Sequence, residues 1–229
     1  MDPAEGIRIK VTKNGPYQVK GRVPLTVEAI VPDSDGESES WRVVSRLADR
    51  DQCGLCRCGH SESKPLCDGS HLDVAFNGTE TARTEFGIDH AEILLGPRID
   101  VADHEELCAD ARFCHRNGAV WHRVGEDTHE AEETVRNECC LCPSGRYTAL
   151  DKETGEPIEP SLPPSVAFVQ DWQEHVSGPI WVRGGVAIES ADGREYQVRN
   201  RATLCRCGQS KNKPFCDGTH VKCGFHDHL

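Results

Sequence analysis

The sequence predicts an α+β protein in which two duplicated, strand-rich units flank a small helical domain. One pattern of cysteines and a histidine occurs twice, in residues 55–71 and again in residues 204–220, and the residues between the copies have a helix-forming composition. The predicted domains are residues 1–83, 84–168 and 169–229. A chain of 229 residues is long enough for three such small domains.

The repeat extends upstream of the two cysteine loops. The segment GPYQVKGRVPL (15–25) resembles GPIWVRGGVAI (178–188), and both alternate apolar with polar residues as a half-buried strand does. Each copy then passes through an Asp-Gly turn to a second predicted strand, at Trp41–Val44 in the first copy and Tyr196–Val198 in the second. The two copies are therefore interpreted as duplicated β units.

The middle segment is predicted to be helical. DHEELCADARFC (103–114) and THEAEETVRNECC (128–140) place Asp103 and Thr128 as N-caps before acidic first turns. The proline-rich ETGEPIEPSLPPS (153–165) that follows has few backbone N–H donors, so it is predicted to be an extended connector.

Composition excludes some function classes. The formal charge of −12 is unsuited to a phosphate backbone and favours basic protein partners. No apolar run is long enough to span a bilayer, and the first residues lack the apolar stretch of a signal peptide, so we expect a cytoplasmic protein that binds neither membranes nor nucleic acid. In a reducing cytosol, 13 cysteines indicate metal binding rather than disulfides.

The paired loops carry the strongest signal for metal ligands. Both follow the spacing C-x-C-x8-C-x3-H, and a ligand should persist in both copies whereas an incidental residue should not. Cys53 and Cys223 have no cysteine counterpart, because they align with Ala202 and Val74. The ligands retained in both copies are Cys56, Cys58, Cys67, His71, Cys205, Cys207, Cys216 and His220.

Two metals compete for such a ligand set. Structural zinc sites commonly use cysteines two to four residues apart, so a C-x-C pair is tight for one tetrahedral ion. A [2Fe–2S] cluster needs two ligands on each iron, so one iron can take the C-x-C pair and the other iron the remaining cysteine and histidine. The spacing therefore favours the diiron cluster over zinc.

Both loops match the pattern C-x-C-x2-S/T-x3-P-x-C-D-G-S/A/T-H, with Ser61 and Ser210 at the hydroxyl position and Ser70 or Thr219 before the histidine. The chain thus resembles the CDGSH, or mitoNEET-like, iron–sulfur proteins. This resemblance implies one [2Fe–2S] cluster for each motif, and two motifs packed about a twofold axis beneath a strand-rich cap. Here one chain supplies both halves, so we expect a monomer.

The histidine ligands have chemical consequences of their own. A neutral imidazole in place of a thiolate makes a cluster less negative, which should raise its reduction potential. Protonation of His71 or His220 would compete with iron binding and couple the cluster to pH. Lys64 and Lys213 either place positive charge near the sites or are ordinary solvated lysines.

The middle domain carries a third cysteine pattern, C-x5-C followed by a distant Cys-Pro, formed by Cys108, Cys114 and Cys142. Bacterial ferredoxins have a further cysteine where this chain has Ala111. The segment resembles single-cluster ferredoxins with that vacancy, which implies a ferredoxin-like domain holding [3Fe–4S]. Cys139 or Cys140 could instead supply a fourth ligand for [4Fe–4S], or the two could pair as a redox-active site. A cysteine-lined pair of helices without a cluster is the remaining alternative. Four nearby histidines lack ligand spacing: His104, His115, His122 and His129.

The function predicted from these patterns is electron transfer through two [2Fe–2S] clusters and a third cluster, with a basic redox protein as partner. The alternative is cluster storage and transfer to an apo-acceptor protein, or redox and pH sensing. The sequence has no phosphate-binding Gly-rich loop, no Ser–His–Asp order and no paired carboxylates, so we do not expect an enzyme.

Overall fold

The computed structural model describes residue 4, residues 6–48 and residues 50–229. The first unit contains strands β1 (Arg8–Val11), β2 (Tyr17–Lys20), β3 (Leu25–Pro32), β4 (Ser38–Arg46) and β5 (Gln52–Leu55), followed by the short helix α1 (Ser70–Asp73). In β2 the side chains alternate between buried and exposed, as the repeat predicts.

The middle region contains β6 (Glu92–Leu94), β7 (Ile99–Asp103), α2 (Val120–Arg123), α3 (His129–Leu141), β8 (Tyr147–Asp151) and β9 (Pro157–Ile158). Short 3₁₀ helices lie at Ile88–His90, Glu105–Leu107 and Phe113–Gly118. The final unit contains β10 (Ser165–Asp171), β11 (Val176–Arg183), β12 (Ala187–Glu189), β13 (Arg201–Leu204) and α4 (Thr219–Lys222). The molecule is α+β, with two strand-rich units around a small, partly helical middle, as the sequence predicts. No helix in the described ranges is long and apolar enough to cross a bilayer.

The two repeats exchange a strand. The first sheet has the order β12-β1-β2-β5, so β12 of the second repeat pairs in parallel with β1 of the first. The second sheet has the order β13-β11-β10-β3-β4, so β3 of the first repeat pairs in parallel with β10 of the second. The exchange is reciprocal and relates the two units by a pseudo-twofold axis.

One apolar core joins the two exchanged sheets. Side chains from both repeats fill it, among them Ile9, Tyr17, Phe168, Ile180 and Phe215, all nearly inaccessible to solvent. Because each repeat contributes to both sheets, burial of this core holds the two cysteine loops in one rigid body.

The middle domain has its own sheet, with the order β6-β7-β8-β9, which the helical prediction did not include. Helix α3 packs against β8, and the Thr128 hydroxyl accepts a hydrogen bond from the Ala131 backbone N–H at 3.2 Å, which confirms the predicted N-cap. The domain joins the second sheet through aromatic contacts, where the Trp41 ring lies 4.9 Å from Phe113 and 4.6 Å from Trp181.

Two local predictions were wrong. Asp103 does not cap a helix, because it ends β7 opposite Tyr147 and its carboxylate accepts two hydrogen bonds from Arg146, at 2.7 and 2.9 Å. Tyr196–Val198 is not a strand. The Gln197 backbone N–H instead donates to the Thr84 carbonyl at 2.8 Å, so this segment binds the chain entering the middle domain.

Candidate metal centres

An isolated antiparallel bridge builds each cysteine loop. Leu55 pairs with Leu66 in the first loop, and each is followed directly by a predicted ligand. The Cys56 N–H donates to the Pro65 carbonyl at 2.8 Å, and the Cys67 N–H donates to the Gly54 carbonyl at 2.9 Å. Because neighbouring side chains alternate in an extended segment, the leucines enter the core while the two cysteines face the opposite side.

The second loop repeats this construction. Leu204 pairs with Phe215, and the Cys205 and Cys216 N–H groups donate to the Pro214 and Thr203 carbonyls at 2.8 and 2.9 Å. The peptide before each loop proline, Pro65 or Pro214, is cis. The two loops are thus built from the same backbone contacts.

The motif's polar residues hold the turn that returns the histidine. Asp68 accepts hydrogen bonds from the Glu62 backbone N–H at 2.7 Å and from the Ser70 hydroxyl at 2.6 Å, and the bonds from Ser70 and Glu62 lower the pKa of its carboxyl. The Ser61 hydroxyl donates to the Leu66 carbonyl at 2.6 Å. In the second loop the Ser210 hydroxyl donates to the Phe215 carbonyl, and Asp217 accepts from the Lys211 and Thr219 backbone N–H groups. These groups therefore shape the turn and leave the ligand atoms free.

The two motif lysines bind their own loops. Lys64 Nζ donates to the Ser61 carbonyl at 2.5 Å, and Lys213 Nζ donates to the Ser210 carbonyl at the same distance. Both ammonium groups are half-buried with their loops, so neither lysine is simply solvated.

The predicted ligands stand in pairs. Cys56 Sγ lies 3.8 Å from Cys58 Sγ, and Cys67 Sγ lies 3.4 Å from His71 Nδ1. In the second loop, Cys205 and Cys207 are 3.7 Å apart, and Cys216 Sγ lies 3.4 Å from His220 Nδ1. A tetrahedral metal with bonds of about 2.3 Å to sulfur and about 2.0 Å to nitrogen separates two thiolates by about 3.8 Å, and a thiolate from an imidazole by about 3.5 Å. Each pair therefore has the spacing of two ligands on one metal.

Pairing fits a diiron cluster better than a single ion. In the described ranges of the chain, three or more His, Cys, Asp or Glu side chains do not gather around one point as ligands of one metal ion. Two ligands for each of two irons is the arrangement that a [2Fe–2S] cluster requires. The residues present in both loops fit that group.

The two C-x-C loops contact each other across the pseudo-twofold axis. Gly59 and Gly208, each directly after a C-x-C pair, have φ values of 83° and 81°. A Cβ on Gly59 would lie 2.7 Å from the Cys207 carbonyl oxygen, and a Cβ on Gly208 would lie 2.4 Å from the Cys58 carbonyl oxygen. Each loop therefore approaches the other so closely that only glycine fits at these positions.

The two histidines differ in their exposure. His220 is 3% exposed, whereas His71 is half-buried and reaches solvent. Burial, reinforced by the nearby Arg206 guanidinium, lowers the pKa of His220 to about 4. The second site is thus enclosed and the first site is open.

Three thiols of the middle domain line one small pocket, although they are not close enough together to share a single metal ion. Cys108 and Cys114 reach it from the 3₁₀ segments, and Cys142 reaches it from the residue after α3. Burial, together with the neighbouring Cys142 and Cys108 thiols, raises the pKa of Cys114 to about 12. Ala111 also lines this pocket, whereas His104, His115, His122 and His129 do not. The three thiols are therefore the residues that would hold an iron–sulfur cluster in this domain.

The remaining two thiols of the middle domain do not line this pocket. Cys139 is buried in the apolar core beneath the pocket, with Val135 and Tyr147. Cys140 Sγ faces the Ile158 carbonyl of β9 at 3.9 Å. Neither residue lines the pocket of the three predicted ligands.

Comparison with known families agrees with this geometry. Residues 14–72 and 177–221 match the family described as iron-binding zinc finger CDGSH type, and residues 94–152 match the family described as divergent 4Fe-4S mono-cluster. The chain is a tandem CDGSH iron–sulfur protein with an inserted mono-cluster domain. No curated protein and no solved structure gives a significant match.

Sequence reasoning missed several residues that surround the CDGSH sites. Arg57 and Arg206 lie inside the two C-x-C pairs, and both side chains are buried. The Tyr17 hydroxyl of the first repeat donates to the Cys205 carbonyl at 2.7 Å, so it supports the second loop. The recurrence of C-R-C in both copies was the available signal for the two arginines.

Proposed function

We propose that this tandem CDGSH protein transfers electrons between three clusters held in one chain. Each CDGSH loop holds a [2Fe–2S] cluster through three cysteines and one histidine, and the middle domain holds a third cluster. Bound iron–sulfur clusters supply one-electron redox chemistry. The protein acts as a carrier rather than an enzyme, because its residues bind clusters and hold them near one another.

The proposal rests on the contact between neighbouring sites. The backbone of each C-x-C loop meets the other at Gly59 and Gly208. Gly218, two residues before His220, also lies against the middle domain. A Cβ added to Gly218 would be 3.6 Å from the Cys108 carbonyl oxygen. The sites therefore form a contiguous series, from the middle domain through the second loop to the first loop.

The proposed middle cluster is [3Fe–4S]. Three cysteines line its pocket, Ala111 stands where ferredoxins have a further ligand, and neither Cys139 nor Cys140 lines that pocket. A [4Fe–4S] cluster would require one of these thiols to turn into the pocket, or would leave one iron without a protein ligand.

Iron counting tests the proposal. We expect the anaerobically purified chain to contain about seven irons, with matching acid-labile sulfide and an EPR signal of oxidised [3Fe–4S]. In the Cys142→Ser variant we expect about four irons, whereas the matched Cys140→Ser variant should retain the full count. A chain without sulfide, or clusters that do not change oxidation state between strongly reducing and oxidising potentials, would refute electron transfer.

A second candidate function is cluster storage and transfer, or redox and pH sensing. The half-exposed His71 favours it, because solvent can reach one histidine ligand directly. If this function is correct, mild acid should bleach the visible absorbance, and an added apo-acceptor should gain the cluster. A cluster that survives mild acid and is not transferred would exclude it.

A further inference from the structure

The inserted domain covers one CDGSH site and leaves the other uncovered. Residues 106–112 lie against the second loop, where Asn212 Nδ2 donates to the Glu106 carbonyl at 2.7 Å. A Cβ added to Gly218 would lie 3.1 Å from the Asp110 Cβ, so the two backbones are in close contact. Arg112 of this segment pairs with Asp171 at 2.8 Å, which fixes the segment in place. This contact explains why Cys216 and His220 are buried.

The equivalent face of the first loop is open to solvent. There Cys67 and His71 are only half-buried, and α1 presents Leu72 with 76% of its surface exposed and Val74 with 43%. The Asp68 turn bonds to the Glu62 backbone, which keeps Glu62 beside this helix. We call the surface formed by Glu62, Asp68, Leu72, Asp73 and Val74 around His71 the open face.

The open face differs in charge from its covered counterpart. Glu62 aligns with Lys211, and Asp73 aligns with Lys222, so two acids stand where the second repeat has two lysines. Both acids are exposed, and Asp68 adds a third carboxylate. The open face is therefore an apolar centre with an acidic rim, the composition of a transient docking surface for a basic protein.

We propose that the open face docks a basic electron-transfer protein, which occupies the position that the inserted domain occupies on the second repeat. This inference rests on the proposed electron-transfer function and extends it by naming where electrons leave or enter the chain. A second copy of this chain is disfavoured as the occupant, because the acidic rims would face each other. Each transfer moves one electron from a reduced cluster to an oxidised metal centre of the partner, or in the reverse direction.

The test uses an oxidised, basic c-type cytochrome as the probe, with the fully loaded chain reduced under anaerobic conditions. The variant Glu62→Lys/Asp73→Lys copies the charges of the second repeat. The control, Glu130→Lys/Glu153→Lys, makes the same change in net charge at exposed positions of the middle domain. At low ionic strength we expect the second-order rate of cytochrome reduction to fall at least tenfold in the open-face variant and less than threefold in the control.

Two further measurements support the same test. At high ionic strength the cytochrome reduction rates of the two charge variants should approach the rate of the unaltered chain. The Leu72→Gln variant should remain slower, because it removes apolar contact. Carbodiimide cross-linking, which requires no electron transfer, should join the cytochrome's lysines to Glu62 or Asp73. Equal rates for the open-face and control variants, or cross-links confined to other acids, would overturn the docking proposal.

The outcomes separate this inference from the function on which it rests. Visible spectra of all variants are measured first and should match that of the unaltered chain, and the measured reduction potentials are used to correct each rate for any change in driving force. If no variant reduces the cytochrome, including the unaltered chain, then the electron-transfer function itself fails. If the unaltered chain reduces it and the variants do not differ, then only the docking site fails.

Discussion

Arg57 and Arg206 occupy the same position in the two C-x-C loops but have different surroundings. Arg206 forms a buried ion pair with Asp227 and donates to the Gly178 and Val169 carbonyls, both at 2.7 Å. In the first repeat, Gly78 aligns with Asp227 of the second repeat. Arg57 donates to the Gly78 carbonyl at 2.7 Å. Within the described chain Arg57 makes no ion pair. A positive charge therefore remains uncompensated beside the first pair of ligands.

We predict that Arg57→Gln lowers the reduction potential of the nearby [2Fe–2S] cluster by tens of millivolts. A buried cation stabilises the more negative, reduced cluster, so its removal favours the oxidised state. The control Arg57→Lys keeps the positive charge, so the reduction potential of its cluster should stay close to that of the unaltered chain. Potentiometric titration followed by EPR measures both variants, and an unchanged potential in Arg57→Gln would contradict this role.

Glu138 in α3 is a buried acid with incomplete hydrogen bonding. Its Oε1 accepts from Asn117 at 3.1 Å, but its Oε2 has no partner among the described residues. Burial raises the pKa of Glu138 to about 7, although the Asn117 bond opposes that shift. Between the unfolded pKa and about 7, the folded chain therefore holds a proton that the unfolded chain releases.

Because that pKa is raised on folding, its contribution to stability is present below the unfolded pKa and is lost as pH rises through about 7. We predict that the free energy of unfolding falls by about 2 kcal/mol more between pH 5.5 and 8.5 in the unaltered chain than in Glu138→Gln. Urea denaturation at both pH values measures this difference. Parallel pH profiles for the two proteins would show that Glu138 is ionised throughout.

At the scale of single residues, repetition made the paired loops predictable. Identical spacing in two copies separated Cys56 from Cys53, and the structure pairs the selected cysteines and histidines at metal-ligand distances. The unequal exposure of His71 and His220 could not be predicted in this way. It depends on residues 106–112, which are distant in sequence from both histidines and meet only one of them.

At the scale of elements, the close contact between the two C-x-C loops leads to a specific prediction. Gly208→Ala places a Cβ at 2.4 Å from the Cys58 carbonyl oxygen, in addition to the strain of its positive φ. Gly193→Ala is a matched control, because Gly193 has a φ of 90° and nothing within 4 Å of its added Cβ.

We expect Gly193→Ala to cost about 1 kcal/mol of folding free energy, and Gly208→Ala to cost about 3 kcal/mol or more. Gly208→Ala should also reduce the iron content of the first site, because it displaces the Cys58 backbone. Denaturant titration and iron analysis measure the two effects. Equal losses in both variants would mean that the loops can separate without consequence.

Secondary-structure elements were predicted correctly where they depend on interactions between residues close in sequence. Thr128 caps α3 because its hydroxyl bonds the Ala131 N–H, which is an interaction within one turn. The segment 103–114 has a similar acidic start, but pairing between β7 and β8 and the Arg146–Asp103 contact override its helical tendency. The middle sheet escaped prediction because its strands are short and its central strands, β7 and β8, are separated in sequence by the helical segment.

At the scale of the whole molecule, one covered site and one open site should lose iron at different rates. We predict biphasic loss of [2Fe–2S] absorbance in an excess of chelator, with the first site emptied first, because solvent reaches His71 and not His220. His71→Cys should slow the fast phase, whereas His220→Cys should leave it unchanged. A fast phase that responds to His220→Cys alone would reverse the assignment.

The strand exchange also determines when the protein can mature. Arg8 of β1 pairs with Ala187 of β12, so the first sheet lacks an edge strand until residue 187 has emerged from the ribosome. The first cysteine loop, residues 55–71, is synthesised long before the strand that closes its sheet. Iron and sulfide should therefore be held in the first loop only after β12 has been synthesised, and a chain truncated before residue 187 should not retain them there.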